Sequence, residues 1–124
     1  MSTIRLGAIS LDCADPAAMG AFWAALLGGE IVMAREDISV VKVDQLLLTA
    51  MRVDDFVAPT WPTGSVPKQG HLDLAVDDLA DAERRAVALG AVRAGWQPEP
   101  ESHLVFFDPA GHPFCLSREA NFPW

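Results

Sequence analysis

Apolar and polar residues alternate along Ala8-Ile9-Ser10-Leu11-Asp12-Cys13-Ala14-Asp15, and again along His71-Leu72-Asp73-Leu74-Ala75-Val76-Asp77-Asp78. A period of two is the signature of a strand with unlike faces. The two segments match at a constant offset, and the match continues beyond them. Each is followed by an alanine-rich helical stretch, Pro16 to Leu27 in the first half and Leu79 to Leu89 in the second. Asp15 before Pro16 reads as an N-cap with proline in the first helical position, Asp78 as its counterpart, and Gly28-Gly29 and Gly90 as the closing residues. Downstream of the first helix, Glu30 to Ala34, Ile38 to Val43 and Gln45 to Val53 are aliphatic runs separated by turn-forming residues. Downstream of the second helix, Ala91 to Trp96, Ser102 to Asp108 and Pro113 to Ser117 repeat that rhythm. The pattern predicts a βαβββ unit used twice, over about 4–57 and 69–117, with residues 118–124 following. Residues 58–68, rich in proline, glycine and hydroxyl side chains, read as a linker.

Successive strand residues point to opposite sides of a sheet, so Leu72, Leu74 and Val76 share a face directed at the helices. The other face carries His71, Asp73 and Ala75, and in the first copy Ala8, Ser10 and Asp12. A polar face lining a hollow for a small molecule is one reading. The other is a sheet with one wet side and no ligand.

The chain has 124 residues, 51% of them hydrophobic, which suits one α+β domain with a single core. The apolar stretches are too short or too interrupted to cross roughly 30 Å of hydrocarbon, and residues 1–5 are not followed by a leader-like apolar run. We therefore expect a cytoplasmic protein without membrane contact. Cys13 and Cys115 fit no metal-knuckle or redox spacing and read as buried thiols. A formal charge of −8 opposes binding to nucleic acid phosphates and suits a cationic ligand.

Three segments carry a resemblance: His71 to Leu79, Ala88-Leu89-Gly90-Ala91, and Phe107-Asp108-Pro109-Ala110-Gly111-His112-Pro113-Phe114-Cys115-Leu116. They resemble the vicinal oxygen chelate superfamily, in its glyoxalase-like, bleomycin-resistance and extradiol dioxygenase branch, over about Ile4 to Ser117. The resemblance implies two tandem βαβββ modules forming a cupped mixed sheet with helices on the convex face. It also implies a divalent metal held from the first and last strand of each module. Carried over, those positions fall on His71 and Cys115 in the second module, and on Ala8 and near Met51 in the first. Hard cations want oxygen donors, so the usual four-ligand site is incomplete and a metal-free cup is expected, with no cofactor. A borderline ion such as zinc has the alternative of His71 and Cys115, completed by Asp73 or water, although alternation places Asp73 further down the strand.

His71 and Asp73 emerge on one face about 6.5–7 Å apart along the strand. They are the candidate acid–base pair, since a histidine beside a carboxylate can shuttle protons for a small carbonyl compound. The plainer reading is that both only fix the sheet. Ser10 and Asp12 are candidate ligand-orienting groups, and Met51, Cys115 and Met33 give the cup a soft apolar floor. Trp23 reads as core, whereas Trp61 and Trp96 are candidates for stacking on a ligand. Trp124 closes an apolar tail that docks on its own domain or on a partner subunit; monomer and homodimer both stay open. His103 and His112 read as surface or turn residues. The expected function is metal-free binding or sequestration of a partly hydrophobic metabolite or drug. The alternative is a lyase, isomerase or dioxygenase using an atypical metal or His71/Asp73 chemistry.

Overall fold

A computed structural model describes residues 2–124, and the chain falls into two compact units, the second running Val57–Trp124. The first contains β1 (Ala8–Cys13), α1 (Pro16–Leu27), β2 (Glu30–Ala34), β3 (Ile38–Val43) and β4 (Leu46–Arg52). Its sheet has the order β1-β4-β3-β2, with β1 parallel to β4 and the remaining pairs antiparallel. The second contains β5 (Leu72–Val76), α2 (Leu79–Ala88), β6 (Val92–Arg93), β7 (His103–Phe107), β8 (Pro113–Arg118) and a 3-10 turn at Glu119–Asn121. Its order, β5-β8-β7-β6 with β5 parallel to β8, repeats the first. These are two tandem βαβββ modules. No helix among the described residues is long and apolar enough to cross a membrane.

The caps explain where the helices begin. The Asp15 carboxylate accepts from the Ala18 amide at 3.2 Å, and that of Asp78 accepts from the Asp81 amide at 3.0 Å. Each satisfies a donor that the first helical turn leaves over. Gly28 ends α1 in the left-handed region, at φ 65°. In the first unit α1 buries Met19, Phe22 and Trp23, and Val41 and Leu48 are buried on the sheet that it covers. In the second, Phe106 and Phe114 stack at 5.8 Å on the α2 side of the sheet, with Leu104 and Leu116 buried beside them.

One expectation changes in the second unit. The strand expected over Ala91 to Trp96 shrinks to Val92–Arg93, because the Gln97 side chain takes the ladder's place: it accepts from the Val105 amide and donates to the Val105 and Ala94 carbonyls at 2.8–3.0 Å. The segment 58–68 belongs to no helix or named strand and is pinned by local contacts. The Thr60 hydroxyl accepts from the Val66 amide and donates to its carbonyl, both at 3.1 Å, and Trp61 packs on Ala94, Val105 and Cys115.

Candidate functional site

The face of the second sheet turned away from α2 is set by register. Asp73 stands beside Cys115 and Ala75 beside Ser117 across the β5–β8 pair. Across β8–β7, Pro113 stands beside Phe107, Cys115 beside Val105 and Ser117 beside His103. Directly opposed residues share a face, so the imidazole of His103 belongs to the same surface as Asp73 and Cys115. That surface has an apolar end of Phe107, Val105 and Trp61 and a polar end of Asp73, Ser117 and His103.

Spacing along β5 alone leaves His71 and Asp73 apart, yet their side chains close the gap: His71 Nε2 lies 3.1 Å from Asp73 Oδ1. An ionised carboxylate only accepts, so Nε2 carries the proton in this contact and Nδ1 keeps the lone pair when the ring is neutral. Cys115 completes the group. Its sulfur, the Asp73 carboxylate and a His71 nitrogen all lie within 4.8 Å of one another. The thiol is 7% exposed and its pKa is pushed up to about 11 by burial first, then by the charge of Asp73 and a hydrogen bond to it, with Lys68 opposing. At neutral pH Cys115 is therefore a protonated donor toward Asp73, not a nucleophilic thiolate.

This donor set bears on the metal that the fold family implies. Imidazole nitrogen, thiolate sulfur and one carboxylate oxygen suit zinc or another borderline ion and leave a coordination position open. They do not suit magnesium or manganese, which prefer oxygen-rich shells. Asp73 joins His71 and Cys115, which the strand spacing by itself does not foretell.

An open hollow of about 350 Å³ lies over the polar end, bordered by His71, Asp73, Cys115, His103, Ser117 and Phe122. His103, read from the sequence as a surface or turn residue, is partly exposed and borders this hollow; the alternation His103, Val105, Phe107 is the signal for its face. Phe122 had no local signal. It reaches the hollow because the Asn121 carboxamide donates to the backbone carbonyl and hydroxyl of Ser102, both at 3.1 Å.

Trp61 and Trp96 lie against each other, ring centres 5.6 Å apart, and Trp61 also meets Phe107 edge-on at 6.5 Å. Trp96 remains 55% exposed. Trp23, at 2% exposure, is core. Trp124 covers no core; it stacks on Phe122 at 4.8 Å. In the first unit, Ser10 stands beside Thr49 and Asp12 beside Met51. By that register the counterpart of Cys115 is Thr49, and Met51 corresponds to Ser117, one pair along from the position inferred by counting. Met33 and Met51 are 39% and 43% exposed on that unit's sheet.

Residues 8–117 match the family model described as a glyoxalase-like domain. Among curated proteins none matches this chain. Solved structures share the fold at low identity. The fosfomycin resistance protein FosX from Mesorhizobium loti has a TM-score of 0.69 at 14% identity, over 94% of this chain and 92% of that one. Lactoylglutathione lyase from Agrobacterium tumefaciens gives 0.66 at 18%, over 100% of both chains. A mutant FosX from Listeria monocytogenes, solved with Mn(II) and a dihydroxypropylphosphonic acid, gives 0.68 at 17%, over 94% and 90%. With the matched region spanning nearly every strand and helix described above, the chain belongs to the glyoxalase-like domain family of the vicinal oxygen chelate superfamily.

Proposed function

We propose that the protein binds a small, partly hydrophobic molecule on the open face of the second unit, without a resident metal, and that His71 and Asp73 handle its polar group. The observation that carries this is the His71–Asp73 contact at 3.1 Å on the border of the hollow. Asp73 holds the Nε2 proton in place and Nδ1 is left to accept one, which is the arrangement of a general base backed by a carboxylate. The Ser117 hydroxyl orients ligand oxygens, Cys115 spends its one proton on Asp73 and steadies that carboxylate, and Trp61 and Trp96 supply apolar surface beside them. Proton removal from the carbon next to a carbonyl, followed by delivery of that proton to the adjacent atom of the enediolate, is the turnover this pair supports.

The donors gathered within 4.8 Å favour one other reading, a lyase or isomerase holding a borderline divalent ion on His71, Asp73 and Cys115. Such an ion would polarise a substrate oxygen. Elemental analysis of protein purified without added metal, paired with tryptophan-fluorescence titration of a metabolite panel, separates the two. The proposal expects less than about a tenth of an equivalent of metal, ligand-dependent quenching, and at least roughly tenfold weaker binding in His71→Ala. Stoichiometric zinc that is lost in His71→Ala would replace it with the metalloenzyme reading.

A further inference from the structure

After β8 the chain is fastened to the turn that precedes β7. The Arg118 side chain donates from Nε to the Glu101 carbonyl at 2.6 Å, and the Arg118 amide donates to the Ser102 carbonyl at 3.3 Å. The Asn121 carboxamide adds its two bonds to Ser102, and the Phe122 amide closes the 3-10 turn on the Glu119 carbonyl at 3.0 Å. The product of these contacts is an aromatic pair at the edge of the hollow. Phe122 borders the cavity, and Trp124 lies nearly parallel to it, 8° between planes.

Neither ring serves a core. Trp124 is 83% exposed and Phe122 only half-buried, so apolar surface is held out in water beside polar groups. Large apolar side chains kept exposed next to a concave site mark a contact surface. A flat ring pair favours one kind of ligand group, because stacking rewards planar π-systems over saturated rings of equal area. At about 350 Å³ the hollow sits at the small end of ligand sites, enough for one or two fused rings with a polar substituent.

We infer that the Phe122–Trp124 pair is the aromatic wall of this site and selects planar aromatic or heteroaromatic ligands that carry a hydroxyl or amine, whose hydrogen bond goes to the Asp73 and Ser117 end. The inference rests on the binding function proposed above and adds its ligand class.

Calorimetric titration with matched pairs tests it: 2-naphthol against decahydro-2-naphthol, phenol against cyclohexanol, and 4-hydroxybenzoate against 4-hydroxycyclohexanecarboxylate. The planar member of each pair is expected to bind roughly 3- to 10-fold more tightly to the wild type. The preference should fall to about twofold or less in Phe122→Leu, which keeps the apolar bulk, and in Trp124→Ala, whose exposed site leaves folding intact. Binding that needs His71 but shows no planar preference, or a preference that survives both tail variants, overturns the aromatic wall and leaves the proposed function standing. A planar preference that depends on Phe122 but not on His71 supports the wall and removes His71 from the proposed function. Absence of binding by all six compounds overturns the inference.

Discussion

Cys115 sits where the fold disfavours the ionised form of its side chain. Burial and the neighbouring Asp73 both oppose its charged form, so its pKa rises from 9.0 to about 11. A group that holds its proton more tightly in the folded state stabilises the fold fully below the unfolded pKa and loses that contribution as pH climbs to the folded one. The window is therefore pH 9 to 11. Across it, wild type should lose about 2 kcal/mol more than Cys115→Ala in urea denaturation. Equal losses in the two proteins would mean that the thiol is not held protonated by the fold. The same environment predicts slow alkylation by iodoacetamide at pH 8 relative to a free thiol. At this scale the sequence was partly readable. Period-two counting put His71 and Asp73 on one face, but not their side-chain contact, which depends on rotamers. It likewise offered His103, which lies inside the expected strand Ser102 to Asp108, but alternation there does not say which face meets a ligand until the pairing with Ser117 is known.

Among the elements, α1 packs closest to its sheet where glycine allows it. A Cβ on Gly20 would stand 2.8 Å from the Cβ of Ser39 on β3, itself buried at 2% exposure. That atom is fixed to the backbone and cannot swing away. Gly20→Ala therefore pits about 1 kcal/mol of improved helix propensity against overpacking of about 1–3 kcal/mol, and the rigid neighbour decides for overpacking. A net loss of roughly 1 kcal/mol, or several degrees in Tm, is expected in thermal unfolding. A Tm equal to or above wild type would show that the helix can rise off β3. Element boundaries were the most legible feature, since α1, β2 and β3 end where caps and turn residues say they do. The failure at β6 has a physical cause that no local pattern carries: a glutamine amide can imitate a strand's hydrogen-bonding edge, and only the fold shows Gln97 doing so against Val105. The Asp108-Pro109-Ala110-Gly111 turn was legible for the opposite reason. The Asp108 carboxylate accepts from the Ala110 and His112 amides at 2.9 Å, and Gly111 takes φ 90°, so the residue types themselves dictate the conformation.

For the molecule as a whole, 17 acidic against 9 basic side chains set a negative field that acts on any ligand before contact. Within the hollow, the Asp73 carboxylate receives the His71 and Cys115 donors, which weakens its pull on an added ammonium and still leaves lone pairs for a ligand hydroxyl. Preference for a cationic ligand should then come from the surface at large rather than from a pair in the site. The two origins respond differently to salt. Exposed charges are screened beyond about 8 Å at physiological ionic strength, whereas a partly desolvated pair at contact is screened much less. An arylalkyl ammonium and its neutral isostere should thus differ by about 3- to 10-fold in affinity at low salt, and converge to within about twofold near 0.5 M sodium chloride. The neutral compound's affinity should stay level throughout. A cation preference that persists at high salt and disappears in Asp73→Asn would instead place a direct ion pair at the His71 end, and the proton assigned to Nε2 would have to move when ligand binds.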